Sequence, residues 1–235
     1  MIEFEIENEG LWLVFGFIIL AISLILWKRC KDITLLKTVT DLHRGTRSER
    51  KLVLKLLKHG IPASTIFHDL YVQKTNGNYS QVDIVVATKV GIIVFEVKDY
   101  SGWIFGKGYQ THWTQVLAYG KEKYRFYNPV MQNNGHIEVL KQKLKNFADV
   151  PFYSVIVFYG NCVLKNVSYI PDEVSYGGPE SVPKIINMIL ANGTPATYAS
   201  KIKVVNVLRE AVLNGEDDEI RAQHIRTTHY ATRVR

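Results

Sequence analysis

The chain has 235 residues, 47% of them hydrophobic and 22% charged, which suits one well-filled domain or two small ones and excludes a collagenous or disordered chain. Its two cysteines, Cys30 and Cys162, lie far apart with no Cys or His partners at zinc-ligand spacing, so neither a disulfide framework nor a zinc site is expected. The net charge is +7, and because Glu3, Glu5, Glu7 and Glu9 sit in a stretch of ten residues without Lys or Arg, the rest of the chain carries +11, a balance that favours an anionic partner.

From Leu11 to Trp27 the chain reads LWLVFGFIILAISLILW, without a charge. As a helix this stretch rises roughly 26 Å, just enough to cross a hydrocarbon layer, and it has no polar face to suit it to a soluble core. Trp12 and Trp27 stand at its ends, and Lys28-Arg29-Cys30-Lys31 follows at once. Basic residues stay on the cytoplasmic side, so residues 1–10 are expected outside the cell membrane and the C-terminal domain in the cytoplasm. An acidic leading segment and the absence of a small-residue cleavage site argue for a retained anchor over a cleaved signal.

Residues 28–45 read as a connector with some helical character. Beyond it, Leu52, Val53, Leu56 and Leu57 recur at helical spacing from Ser48, and His59-Gly60-Ile61-Pro62 supplies the stop. The segment STIFHDLYV, the turn Asn76-Gly77 and then YSQVDIVVAT predict a hairpin, and Thr88-Lys89-Val90-Gly91 turns the chain back into IIVFEVKDY. Trp103 to Phe105 and Trp113 to Ala118 are expected to continue this meander. Asn128-Pro129 opens a helix that runs on from Met131 to Phe147, and YSVIVFY at 153–159 predicts a buried strand. Further helices are expected at 181–190, 199–213 and 217–226. The order predicts an α/β domain with a central mixed sheet flanked by helices, over residues 46–160. Residues 161–213 are read as an extension packed on it and 214–235 as a charged tail.

Asp83, Glu96 and Lys98 are charges set into otherwise apolar strands, where unpaired charge is rare. If Lys89-Val90 is a two-residue loop, residue 83 lies across from residue 96, and Lys98 shares the face of Glu96. Two facing carboxylates repel unless a cation sits between them or one stays protonated. A hard divalent cation such as Mg²⁺ or Mn²⁺ is the natural occupant, with Asp83 and Glu96 as its ligands and Lys98 beside it, a combination suited to phosphodiester hydrolysis. The alternative is a structural salt bridge between Lys98 and either carboxylate. Trp103, Trp113 and Tyr100 are candidate base-stacking rings, and Arg221, Arg226, Arg233 and Arg235 candidate phosphate or lipid contacts. Nothing in the pattern sets an oligomeric state.

Gly45-Thr46-Arg47-Ser48-Glu49-Arg50, the frame Tyr79-Ser80-Gln81-Val82-Asp83, the strand Gly91 to Lys98, the Gly102-Trp103 step and Tyr127-Asn128-Pro129-Val130-Met131-Gln132 come in an order that resembles the nuclease-related domain, NERD. The resemblance covers roughly residues 45–150. It implies a restriction-endonuclease-like core of the PD-(D/E)xK type, preceded here by one transmembrane helix. It further implies that Asp83, Glu96 and Lys98 are the central active-site residues, with Glu49 on the first helix assisting and Gln132 and Gln81 contacting substrate. Nucleic acid, DNA above RNA, is the substrate the resemblance implies, and a catalytically inactive, membrane-tethered binding module of the same fold is the alternative. Val82 stands where the superfamily name has Pro, and Ser48 where many relatives have a second Gly. Gln132 and His136, four apart on one helix, share a face; His136 is read as a surface or packing histidine.

Overall fold

A computed structural model describes the backbone of residues 3–233 and, within that range, the side chains of residues 12–117 and 119–227. The side chains of the acidic N-terminal stretch and of Arg233 and Arg235 lie outside the described residues. The helices are α1 (Glu3–Leu36), α2 (Arg47–Lys58), α3 (Pro129–Leu144), α4 (Val182–Asn192), α5 (Lys201–Asn214) and α6 (Asp218–Arg233). The strands are β1 (Ile66–Gln73), β2 (Tyr79–Thr88), β3 (Gly91–Asp99), β4 (Gly102–Lys107), β5 (His112–Leu117), β6 (Glu122–Tyr127), β7 (Ala148–Asp149), β8 (Phe152–Tyr159), β9 (Cys162–Ser168), β10 (Val174–Gly177) and β11 (Thr197–Tyr198).

In α1, Trp12–Leu36 is long and apolar enough to cross a membrane, and its apolar side chains up to Trp27 are exposed. The helix does not stop at Trp27. It runs through Lys28, Arg29 and Lys31, residues that favour helix and lie exposed, so much of the expected connector is helical. Its last turn meets the domain: Leu36 enters the core, and Asp32 pairs with Lys58 at 2.6 Å.

β1, β2, β3, β8 and β10 form one mixed sheet in that order. β1–β2 and β2–β3 are antiparallel, and Thr88 pairs with Gly91, the register expected for a Lys89-Val90 loop. β8 then runs parallel to β3, and β10 parallel to β8. Helices cover both faces. Leu52, Val53 and Leu56 of α2 and Ile185, Ile186 and Ile189 of α4 pack with Ile84, Val86, Ile93 and Phe95 on one side. Ile137, Leu140 and Leu144 of α3 and Val204 and Leu208 of α5 pack with Val85, Ile92 and Val94 on the other.

The meander does not continue past β3. The apolar run of β8 occupies the free edge of β3, so β4 and β5 pair elsewhere, in a second sheet of order β6-β5-β4-β9. Gly102 turns the chain out with φ +75, and a Cβ there would meet the Val116 carbonyl oxygen at 2.3 Å. This sheet packs through Ile104 and Trp113 on Val130, Ile156, Phe158 and Val174. β7 and β11 make a separate two-stranded pair. The expected tail is largely helical: α6 lies against β2, with His224 Nδ1 3.1 Å from the Tyr79 carbonyl oxygen.

Candidate active site

α2 begins with a reciprocal cap. Thr46 Oγ1 accepts from the Glu49 amide at 3.3 Å and donates to Glu49 Oε1 at 2.7 Å, as its T-x-x-E spacing allows. Glu49 Oε2 in turn lies 3.2 Å from Nε2 of the buried His68, whose Nδ1 is 2.8 Å from Thr40 Oγ1. Burial opposes ionisation of Glu49, but the hydrogen bonds from His68 and Thr46 outweigh it and hold the carboxyl below its ordinary value. Gly45 makes this packing possible. At φ +57, a Cβ on it would stand 2.4 Å from Glu49 Oε2 and 2.5 Å from His68 Nε2. Gly45→Ala is expected to destabilise the chain by about 1–3 kcal/mol, read as a lower urea midpoint with unchanged slope.

The β2–β3 register puts Asp83 opposite Glu96, one residue beyond the last regular pair, Ile84 with Phe95. Here the ladder gives way to side-chain contact: Asp83 Oδ2 accepts from the Val97 amide at 2.7 Å. Asp69, opposite Asp83 on β1, is also irregular, with φ +55. Lys98 Nζ lies 2.7 Å from Glu96 Oε1 and donates to Gln132 Oε1 at 2.9 Å. His136 Nε2 lies 3.3 Å from Glu96 Oε2, and its Nδ1 is 2.9 Å from Ser80 Oγ. Asn133, on the same helix, donates to the Val94 carbonyl at 3.0 Å and to Ser154 Oγ at 2.9 Å, fixing α3 over this end of the sheet.

The charges are unequal. Burial, then the charges of Glu96 and Glu49, push the Asp83 carboxyl well above its ordinary value, against the Val97 amide and Lys98. Burial also works against ionised Glu96, but Lys98 and His136 outweigh it and hold that carboxyl low. For Lys98 burial disfavours the charge, yet Glu96 and Asp83 raise its pKa overall. The side chain of Lys98 is 16% exposed and that of Glu96 1%, so an incoming group meets the lysine before the glutamate.

Asp83, Glu96, Lys98 and Gln132 are therefore brought together. Glu49 acts on Asp83 through its charge while its own oxygens are engaged by His68 and Thr46. Gln81 turns aside, donating to Asp69 Oδ1 at 2.9 Å. His136, read from sequence as a surface or packing residue, is a member of the cluster. The signal was its spacing from Gln132, four residues along one helix face.

Hard-cation chemistry suits this donor set: it is oxygen-rich and thiol-free, and it brings the Asp83 and Glu96 carboxyls close enough for each to oppose the other's charge. Glu96 Oε2 and His136 Nε2 are both buried without a well-formed hydrogen bond, so their contact leaves bonding capacity unused. Among the described residues no three His, Cys, Asp or Glu side chains form a ready metal cluster. A cation here would take two carboxylates and complete its shell with backbone, water or phosphate oxygen.

The nuclease-related domain family, NERD, matches residues 44–159. Those residues belong to the NERD family. Its general context is the PD-(D/E)xK superfamily, and the NERD segment holds every residue of the cluster just described. An uncharacterized protein of Bacillus anthracis is 32% identical over 123 residues, spanning 52% of this chain and 56% of that protein. The chain thus spans just over half the length of this relative. No solved structure matches.

Proposed function

We propose that the chain is a membrane-anchored nuclease that hydrolyses nucleic-acid phosphodiester bonds with Mg²⁺ or Mn²⁺, with DNA favoured over RNA by family analogy. The observation that carries this reading is the meeting of Asp83, Glu96 and Lys98 at the end of the β2–β3 pair, with Asp83 pushed up by burial and then by two neighbouring carboxylates. Asp83 and Glu96 are the residues that would hold the cation. Bound there, it would polarise a phosphoryl oxygen and make water a stronger nucleophile. Lys98 orients the attacking water and stabilises charge building on the phosphoryl oxygens. Gln132 aims the ammonium, and His136, set by Ser80, stands 3.3 Å from the second oxygen of Glu96.

One observation favours a second reading, a binding module without turnover. Lys98 already pairs with Glu96 at 2.7 Å within the protein, so the network is partly balanced without a metal cation. Incubating the full-length chain in neutral-lipid nanodiscs with single- and double-stranded DNA and RNA separates the two. The nuclease reading expects cleavage with Mg²⁺ or Mn²⁺ that stops in EDTA, whereas binding that persists in EDTA with no cleavage under any condition supports the module.

The proposed topology places the Lys28, Arg29 and Lys31 side and the NERD domain in the cytoplasm, by the positive-inside rule. A membrane-impermeant thiol reagent applied to intact cells is expected to leave Cys30 unlabelled and to label it after lysis; labelling in intact cells contradicts the orientation.

A further inference from the structure

Two of the three rings expected from sequence to stack on bases are engaged elsewhere, and the third, Trp103, is partly buried with Lys165 Nζ 5.5 Å from its ring centroid. Trp113 is 1% exposed and stacks on Phe158 at 6.2 Å between centroids, while Tyr100 packs on Phe126 at 4.5 Å. Two other rings are free of the core. Tyr109 is 64% and Tyr169 73% exposed, and they stand 5.8 Å apart on the turns that follow β4 and β9. Lys107 Nζ lies 5.8 Å from one ring centroid and 5.6 Å from the other. No carboxylate pairs with Lys107 among the described residues.

This cluster is built rather than accidental. Tyr169 holds φ +53, an uncommon conformation for an aromatic residue. The turn is pinned where the Gly108 amide donates to the Ser168 carbonyl at 3.0 Å. Any Cβ on Gly108 would stand 2.0 Å from the Tyr169 carbonyl oxygen, so only glycine lets the two turns approach. The same turn abuts the candidate active site. Asn128, the cap of α3, donates from Nδ2 to the carbonyls of Gly108 at 2.9 Å and Gln110 at 2.7 Å. Four residues along, or about 6 Å of helix rise, Gln132 holds Lys98.

We infer that Tyr109, Tyr169 and Lys107 form a platform that stacks unpaired bases of a single-stranded nucleic acid whose backbone reaches Lys98. This deepens the nuclease reading and rests on it for the position of the scissile phosphate. Exposed ring faces bind bases regardless of sequence, and an ammonium without a carboxylate partner complements the phosphate chain. A duplex keeps its bases stacked within itself and offers the rings no such faces, so the platform selects single strands or frayed ends.

The test is equilibrium binding of a fluorescein-labelled oligothymidylate, its abasic counterpart and a duplex by the full-length chain in neutral-lipid nanodiscs with EDTA. Tyr109→Ala combined with Tyr169→Asn, whose new side chain tolerates positive φ, is expected to weaken oligothymidylate binding about tenfold or more. The paired Tyr→Phe changes are expected to keep it, and the abasic strand to bind the native chain as weakly as oligothymidylate binds the ring-less variant. Equal affinity of the native and ring-less chains for oligothymidylate, or no binding by the native chain, overturns the platform. A Mg²⁺ cleavage assay on the same preparations keeps the two ideas apart. Ring-dependent binding without cleavage defeats the nuclease reading and leaves the platform, and cleavage with ring-independent binding does the reverse.

Discussion

Asp83→Asn is expected to raise the thermal stability of the cation-free chain, although it removes a proposed ligand. In the folded protein burial and the charges of Glu96 and Glu49 hold the Asp83 carboxyl well above its ordinary value, so ionising it at neutral pH works against the fold. For a group with a raised folded pKa, the favourable contribution is present below the unfolded value and lost as pH rises through the folded one. Asparagine keeps the acceptor for the Val97 amide and removes the charge. A gain of ~1 kcal/mol corresponds to about 2–4 °C in a chain of this size. The difference between variant and native chain should close as pH falls and Asp83 protonates. Excess Mg²⁺ should stabilise the native chain, by about 2.7 kcal/mol at a hundredfold excess over the dissociation constant, and the variant much less. Scanning both proteins in EDTA and in Mg²⁺ at several pH values checks all three statements.

Lys98→Met has the opposite sign and a larger size. Glu96 is 1% exposed, its carboxyl is held below its ordinary value, and Lys98 at 2.7 Å is its near cation. Removing one partner of a buried pair leaves an uncompensated charge and costs about 3–5 kcal/mol, whereas replacing both partners is often close to neutral. Lys98→Met should therefore lower the urea midpoint strongly, and adding Glu96→Gln should recover most of the loss. Neither protein should cleave. If the double variant is as unstable as the single one, Lys98 is needed for its packing and not for the charge it balances.

The elements that carry this site were legible because they are written in local signals. T-x-x-E at Thr46 and Glu49 is a cap, Asn76-Gly77 is a turn, and the two residues between Thr88 and Gly91 set the register that puts Asp83 across from Glu96. Charges on apolar strands mark the cluster in the sequence itself. The second sheet is not legible, because β6 is almost wholly exposed and has no apolar run, while β9 pairs with β4, far back along the chain. His136 packs inside, but its contact with Glu96 is not legible in the sequence, because a histidine on a helix face looks the same whether it meets solvent or a carboxylate; its Nδ1 partner, Ser80, is 56 residues away. Trp113 is unavailable to bases because Phe158 stacks on it and Phe126, its partner on the neighbouring strand, meets it edge-on. Tyr109 and Tyr169 carry no signal in sequence, since two tyrosines in separate turns become a pair only once β4 and β9 lie side by side.

The most direct measurement is the Mg²⁺ dependence of oligonucleotide cleavage by the full-length chain beside Asp83→Asn. The account predicts cleavage that rises with Mg²⁺ and saturates for the native protein, and a rate at least a hundredfold to a thousandfold lower, on the order seen when one electrostatic stabiliser is removed, for the variant. Cleavage by Asp83→Asn at the native rate, or native cleavage indifferent to EDTA, would contradict it.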